Sequence, residues 1–196
     1  MKTAIRFICA LCIVAILAVG AKLIHDKYPS LLSDLISGNS QTSTHDISAS
    51  QKDLYGPYDF IRVVDGDTII ANIDGAETRI RLIGIDTPES VNPDPGKNVP
   101  EGKIASDFTK GLFSDITSVY LEYDVQERDN YDRLLAYVYL DGNGDVMAQD
   151  EILRAGMATT MTIQPNSIYA DHFYAIMKEA QNAGVGLWAT EFFSQK

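Results

Sequence analysis

Three short segments of this sequence concentrate the side chains that can do chemistry. Asp65-Gly66-Asp67-Thr68 sets two carboxylates around a glycine. Arg81-Leu82-Ile83-Gly84-Ile85-Asp86-Thr87-Pro88-Glu89 joins a cation to two further carboxylates. Asp129-Asn130-Tyr131-Asp132-Arg133 ends on a second arginine, just ahead of the apolar run Leu134 to Tyr139. Asp67, Asp86 and the Thr87 carbonyl are hard oxygen donors, which calcium takes at roughly 2.3–2.6 Å with waters completing its shell. Glu89 is not needed in that set and is left to accept a proton from an attacking water. Arg81 and Arg133 carry planar, permanently charged forks that match phosphate oxygens, most strongly where charge builds in a transition state. A hard cation, a carboxylate base and two arginines together are equipment for phosphodiester hydrolysis.

Each segment also has a plainer reading alone. Asp-Gly forms turns whatever else it does, Arg81 reads equally as a solvated strand residue, and 129–133 as a charged hairpin loop. Composition narrows the alternatives. The chain has 196 residues, 27 acids against 16 Lys and Arg, and a formal net charge of −11. Its hydrophobic content of 45% and charged content of 22% exclude wholesale disorder. Cys9 and Cys12 lie inside an apolar N-terminal run, so a disulfide scaffold is excluded. His25 and His45 precede the folded part and leave His172 alone, which disfavours triads and multi-histidine metal sites.

Regular elements have to bring the three segments together. Phe60–Val64, Asp67–Ile73 and Thr78–Ile85 read as a three-strand meander, with Asp65-Gly66 and Asp74-Gly75 as hairpin signals between β-branched flanks. Gly84 inside the third strand predicts a bulge or bend. Ile104, Phe108 and Leu112 recur at helical spacing after a proline-rich loop. Val119–Tyr123 and Leu134–Leu140 supply strands four and five. Met147–Ala155, stopped by Gly156, is a second helix, and Tyr169, Phe173, Ile176 and Ala180 stripe a third that ends at Gly184. Five strands with a helix between the third and fourth is the order of an oligonucleotide-binding barrel. The expected class is therefore α+β, mainly β: a five-stranded OB-fold barrel with three helices over residues 55–193.

The chain ahead of that domain reads differently. Lys2 and Arg6 precede the uncharged apolar stretch Phe7–Ala21, so residues 1–24 are a signal peptide or a membrane anchor. Fifteen apolar residues fall short of the ~20 that span a bilayer, and cleavage and retention both stay open. Residues 25–54 form a flexible Ser/Thr-rich linker, too poor in aliphatic residues to bury a core. The expectation is an exported monomer, secreted or anchored to the outer face of the cell membrane, with no protein partner inferred.

The order and context of these segments resemble the thermonuclease, or staphylococcal-nuclease-like, family. The likeness covers roughly Tyr58 to Trp188. It rests on Val64-Asp65-Gly66-Asp67-Thr68, on the highly specific Arg81–Glu89 string, on Tyr131–Tyr139, on Leu153–Ala158 and on Gly186-Leu187-Trp188. It implies a five-stranded barrel and calcium-dependent cleavage of DNA and RNA to products ending in 3′-phosphate. Position by position, it implies Arg81, Glu89 and Arg133 as catalytic residues and Asp67, Asp86 and Thr87 as Ca2+ ligands, with Asp65 a nearby acid. Tyr131 is implied to contact substrate phosphate. Three departures stand out. Asp132 occupies a glycine position beside Arg133, which sets an extra negative charge there. The stretch Thr159–Gln164 lacks the tyrosines that stack on nucleotide in the family, with Met161 and Ile163 nearby instead, and the loop Asn92–Lys103 is not basic. The competing readings are a non-catalytic OB-fold nucleic-acid-binding module and a calcium-stabilised envelope domain.

Overall fold

The computed structural model describes residues 53–91, 93–190 and 192–193. The apolar segment 1–24 and all but the last two residues of the 25–54 tether lie outside them. Seven strands form: β1 (Tyr55–Asp65), β2 (Thr68–Ile73), β3 (Ala76–Leu82), β4 (Gly84–Asp86), β5 (Ser118–Glu122), β6 (Leu134–Tyr139) and β7 (Thr159–Met161). Among the described residues, three α-helices join them: α1 (Pro100–Leu112), α2 (Ala148–Arg154) and α3 (Ala170–Ala183).

Five of the strands close a barrel in the order β1-β2-β3-β6-β5. All its pairings are antiparallel except β3 with β6, where Ile80 faces Leu134 and Leu82 faces Ala136. Strand alternation sends Ile69, Ala71, Ile80, Leu82, Val119, Leu121, Ala136 and Val138 into a fully enclosed core. The two Asp-Gly turns work for different reasons. Asp74 and Gly75 both take positive φ, +52° and +87°, as a two-residue hairpin with the twist of its strands requires. Gly66 is instead demanded by crowding, because a Cβ there would meet Thr87 side-chain atoms at 2.6–2.9 Å.

The expected third strand, Thr78–Ile85, is two strands. Gly84 adopts φ +84°, and a Cβ on it would sit 2.5 Å from the Phe173 ring. The chain therefore leaves the barrel after Leu82, and β4 pairs with β7 in a separate two-stranded sheet. β7 had no counterpart in the sequence reading. Buried Gln149 of α2 seals this break: its amide nitrogen donates to the carbonyls of Ala136 (3.1 Å) and Ile83 (3.5 Å), and its carbonyl accepts from the Val138 N–H.

The expected apolar stripe of α1 is kept in part: Phe108 and Leu112 pack half-buried against the core, but Ile104 is exposed, and the fully buried face is Gly102, Ala105, Ser106 and Thr109. Small side chains let the helix lie close to the barrel mouth, where the Thr109 hydroxyl donates to the Gly66 carbonyl at 2.8 Å. Helix α3 buries Phe173, Ile176 and Ala180 together with Met177, and Gly184 ends it at φ +61°.

Candidate active site

The three segments converge on one cavity of about 520 Å³. Asp67, Arg81, Asp86, Glu89, Tyr131 and Arg133 all line it, and Thr87 is buried against Asp67. Asp67 leaves the β1–β2 turn with its carboxylate largely enclosed. Its Oδ2 accepts from the Thr87 backbone N–H and hydroxyl, both at 3.0 Å, and pairs with Arg81 Nη2 at 3.0 Å. Its Oδ1 accepts from the Thr68 hydroxyl at 3.2 Å. Asp86, at the end of β4, approaches the same Arg81 nitrogen at 3.6 Å. Arg81 Nη1 donates to the carbonyls of Leu82 (2.8 Å) and Ile85 (2.9 Å), so one guanidinium also fastens the β3–β4 break.

Glu89 is exposed on the loop after β4, and its carboxylate makes no hydrogen bond or ion pair among the described residues. Its backbone, in contrast, is held firmly. The Glu89 carbonyl accepts from the Val99 N–H at 3.0 Å, and a Cβ at Gly102 would come within 2.1 Å of that oxygen. The next residue is clamped by Asp65, which accepts from the Ser90 hydroxyl at 2.5 Å and faces its N–H at 3.4 Å. Asp65 thus anchors the loop that carries Glu89.

Arg133 enters from the loop before β6. Its Nε donates to Asp129 Oδ2 at 2.7 Å, and its backbone N–H donates to Asp129 Oδ1 at 3.0 Å. Partial burial pushes the Asp129 carboxyl up, but the bonds from Arg133 and from the Tyr131 N–H outweigh it and hold the group below its ordinary range. The Arg133 guanidinium lies 5.6 Å from the centre of the Tyr131 ring, which is 83% exposed. Asp132 does bring a negative charge close to Arg133, since both line one cavity, but it pairs with a different arginine. It takes φ +61°, and its carboxylate turns to Arg128 Nη1 at 3.3 Å, which also donates to the Asp132 carbonyl. Met161 and Ile163 line the cavity wall.

A family profile described as Staphylococcal nuclease homologue matches residues 79–190, which include Arg81, Asp86, Glu89 and Arg133. The chain belongs to this family. It is 36% identical over 177 residues to a thermonuclease of Staphylococcus hyicus, covering 90% of this chain and 93% of that protein. A thermonuclease of Staphylococcus intermedius is 43% identical over 127 residues, covering 65% of this chain and 73% of the relative. Endonuclease YncB of Bacillus subtilis (strain 168) is 35% identical over 130 residues, covering 65% and 59% respectively.

For a member of the staphylococcal nuclease homologue family, the metal question rests on the donors present. Among the described residues, no three acids, histidines or cysteines are gathered as a ready-made metal site. Asp67 and Asp86 nevertheless converge on a single guanidinium nitrogen, a position that calls for positive charge, and the ligating atoms they offer are carboxylate oxygens. Two carboxylates without nitrogen or sulfur ligands fit calcium, whose loose shell takes the rest from water and phosphate.

Some residues of the site carry no advance signal. Ser90 clamps Asp65 across 25 residues. Buried Asn166 accepts from the Gln126 N–H at 2.7 Å and donates to the Gln126 carbonyl at 2.8 Å, pinning the loop that leads to Asp129. No periodicity links these pairs. Asp129 stands in a charged loop four residues before Arg133, and that spacing was its only hint.

Proposed function

We propose that this protein is an exported, calcium-dependent nuclease that hydrolyses phosphodiester bonds of DNA or RNA. The carrying observation is the single cavity that holds two arginines, a carboxylate without a partner among the described residues and two converging aspartates. Thermonuclease and endonuclease relatives support the reaction class.

In this reading Asp67, Asp86 and the Thr87 carbonyl would hold calcium, which would supply positive charge to offset the negative charge developing on the phosphate. Glu89 accepts a proton from water as the water oxygen bonds to phosphorus. Arg81 and Arg133 donate to the phosphate oxygens as negative charge accumulates there. The phosphorus–O5′ bond breaks, the leaving oxygen takes a proton from solvent, and a 3′-phosphate and a 5′-hydroxyl result. Tyr131 contacts a substrate phosphate through its exposed phenol. Asp129 fixes Arg133 through two hydrogen bonds, so the guanidinium meets the phosphate already oriented.

Export follows from the charged and apolar N-terminal segment, with Lys2 and Arg6 ahead of Phe7–Ala21. Two experiments test the whole reading. Digestion of single-stranded DNA and RNA should proceed with calcium and stop with chelator. Fractionation of expressing cells should find the protein in the medium or on the outer membrane face, and a cytoplasmic pool alone would overturn export.

A further inference from the structure

A second surface cavity of about 380 Å³ adjoins the first and shares Tyr131 and Arg133 with it. The rest of its lining is Glu77, Thr78, Arg79, Arg128 and Asp132. None of these has a role in the chemistry above. We propose that Arg79 and Arg128 form a second phosphate subsite, which receives the phosphodiester strand as it leaves the cleavage site past Tyr131 and Arg133. The proposal rests on the nuclease reading and deepens it by naming how a longer strand is held.

The geometry comes from strand register. Arg79 and Arg81 are two apart on β3 and share its outer face, since Ile80 between them is fully buried in the core. Their Cα atoms are then roughly 6.8 Å apart along the strand. β3 runs parallel to β6 with Ile80 opposite Leu134, and Arg79 and Arg133, each one residue earlier, line the same cavity. Arg128 joins them there from the preceding loop, and Arg133 also lines the cleavage cavity that holds Arg81.

Availability separates these cations from ordinary surface charges. The Arg79 side chain makes no ion pair or hydrogen bond among the described residues, although Glu77 shares its cavity. Arg128 is held by the Asp132 carbonyl at 2.9 Å and by its carboxylate at 3.3 Å, but that carboxylate is 88% exposed. An exposed pair of this kind contributes little, so a phosphate can replace the carboxylate while the carbonyl keeps Arg128 in place. In a chain of net charge −11, such a grouping of arginines beside the cleavage cavity gives a polyanion a local landing point.

The test uses Glu89→Gln protein in calcium, so that bound strands persist. Affinity for labelled oligothymidylate and oligouridylate, from dinucleotide to about a dozen residues, is read by fluorescence anisotropy across a salt series. Arg79→Gln and Arg128→Gln are added singly and together, and Arg154→Gln with Lys178→Gln serves as the charge-matched control. Each lost phosphate contact should lower the slope of log affinity against log salt by about 0.7 on a single strand. The double variant should therefore lose about 1.4 in slope, and the affinity gained with strand length should shrink. The DNA and RNA arms report which strand the subsite accepts. Arg79→Gln is the decisive single change, because it removes no internal bond and leaves the 128–133 loop intact. An unchanged slope and length dependence would overturn the subsite, as would an equal loss in the control. Otherwise wild-type protein that binds as described yet cleaves no strand overturns the nuclease reading alone.

Discussion

Asp67 and Arg81 meet at 3.0 Å in a nearly enclosed setting, and Asp86 reaches the same guanidinium nitrogen at 3.6 Å. The two carboxylates proposed to hold the metal are therefore the two that pair with a proposed catalytic arginine. A metal held by these carboxylates would share one electrostatic unit with the arginine, so that perturbing either would perturb the other.

Calcium should stabilise the protein without any substrate. A ligand that binds only the folded state adds about 2.7 kcal/mol at a hundredfold excess over its Kd. The Tm of chelator-treated protein should rise as calcium is titrated in, and Asp67→Asn or Asp86→Asn should abolish the rise. Cleavage should recover poorly with magnesium, which demands octahedral geometry and gives up its waters reluctantly. Equal rescue by magnesium would rule out this view of the site.

Glu89→Gln, Arg81→Ala and Arg133→Ala should all lower turnover but differ in stability. Loss of a general base typically costs ~10²–10⁴ in rate, and loss of one charge-stabilising donor ~10²–10³. Arg81→Ala should also destabilise by about 3 kcal/mol, since it strips a partner from an enclosed carboxylate. Glu89 is exposed, so its substitution should stay within about 0.5 kcal/mol. Urea unfolding and steady-state kinetics on the three variants separate these effects.

Asp129 predicts an acid-side pH dependence. Its carboxyl is held below its ordinary range in the folded state, so its contribution is fully present above the unfolded-state pKa of roughly 3.9. That contribution is lost as pH falls through the lower, folded value. Wild type should be more stable than Asp129→Asn at neutral pH, and the gap should close in acid. Melting both proteins from pH 7 to pH 2 checks this, and a gap that widens in acid would contradict it. The variant should also lose kcat, because Arg133 is no longer oriented.

Asp132→Gly should stabilise the protein, or at worst leave it unchanged. The position has φ +61°, where a side chain costs about 1 kcal/mol or more and glycine costs little. The Arg128 pair it loses is exposed and adds little. A fall of more than about 1 kcal/mol on thermal unfolding would show that the pair outweighs the backbone strain.

Much of the barrel and most of the candidate site could be read from the chain because their signals are local. Asp-Gly between β-branched flanks makes a hairpin through its own backbone preferences, and alternation alone turns Ile80 inward and Arg79 and Arg81 outward. The string from Arg81 to Glu89 packs cation, carboxylates and turn residues into nine consecutive positions. Other features depended on what packs against what. Whether Gly84 bends a strand or ends it was decided by Phe173, which lies 89 positions downstream and fills the space a side chain would need. The buried face of α1 was decided by the closeness of the barrel mouth, which admits Ala105 and Thr109 and turns Ile104 to solvent. Charge followed the same rule. A net −11 counts residues without placing them, and only the parallel pairing of β3 with β6 brings Arg79 into one cavity with Arg133, 54 positions further along the chain. Local sequence determines what each residue can do, and long-range pairing determines which residues do it together.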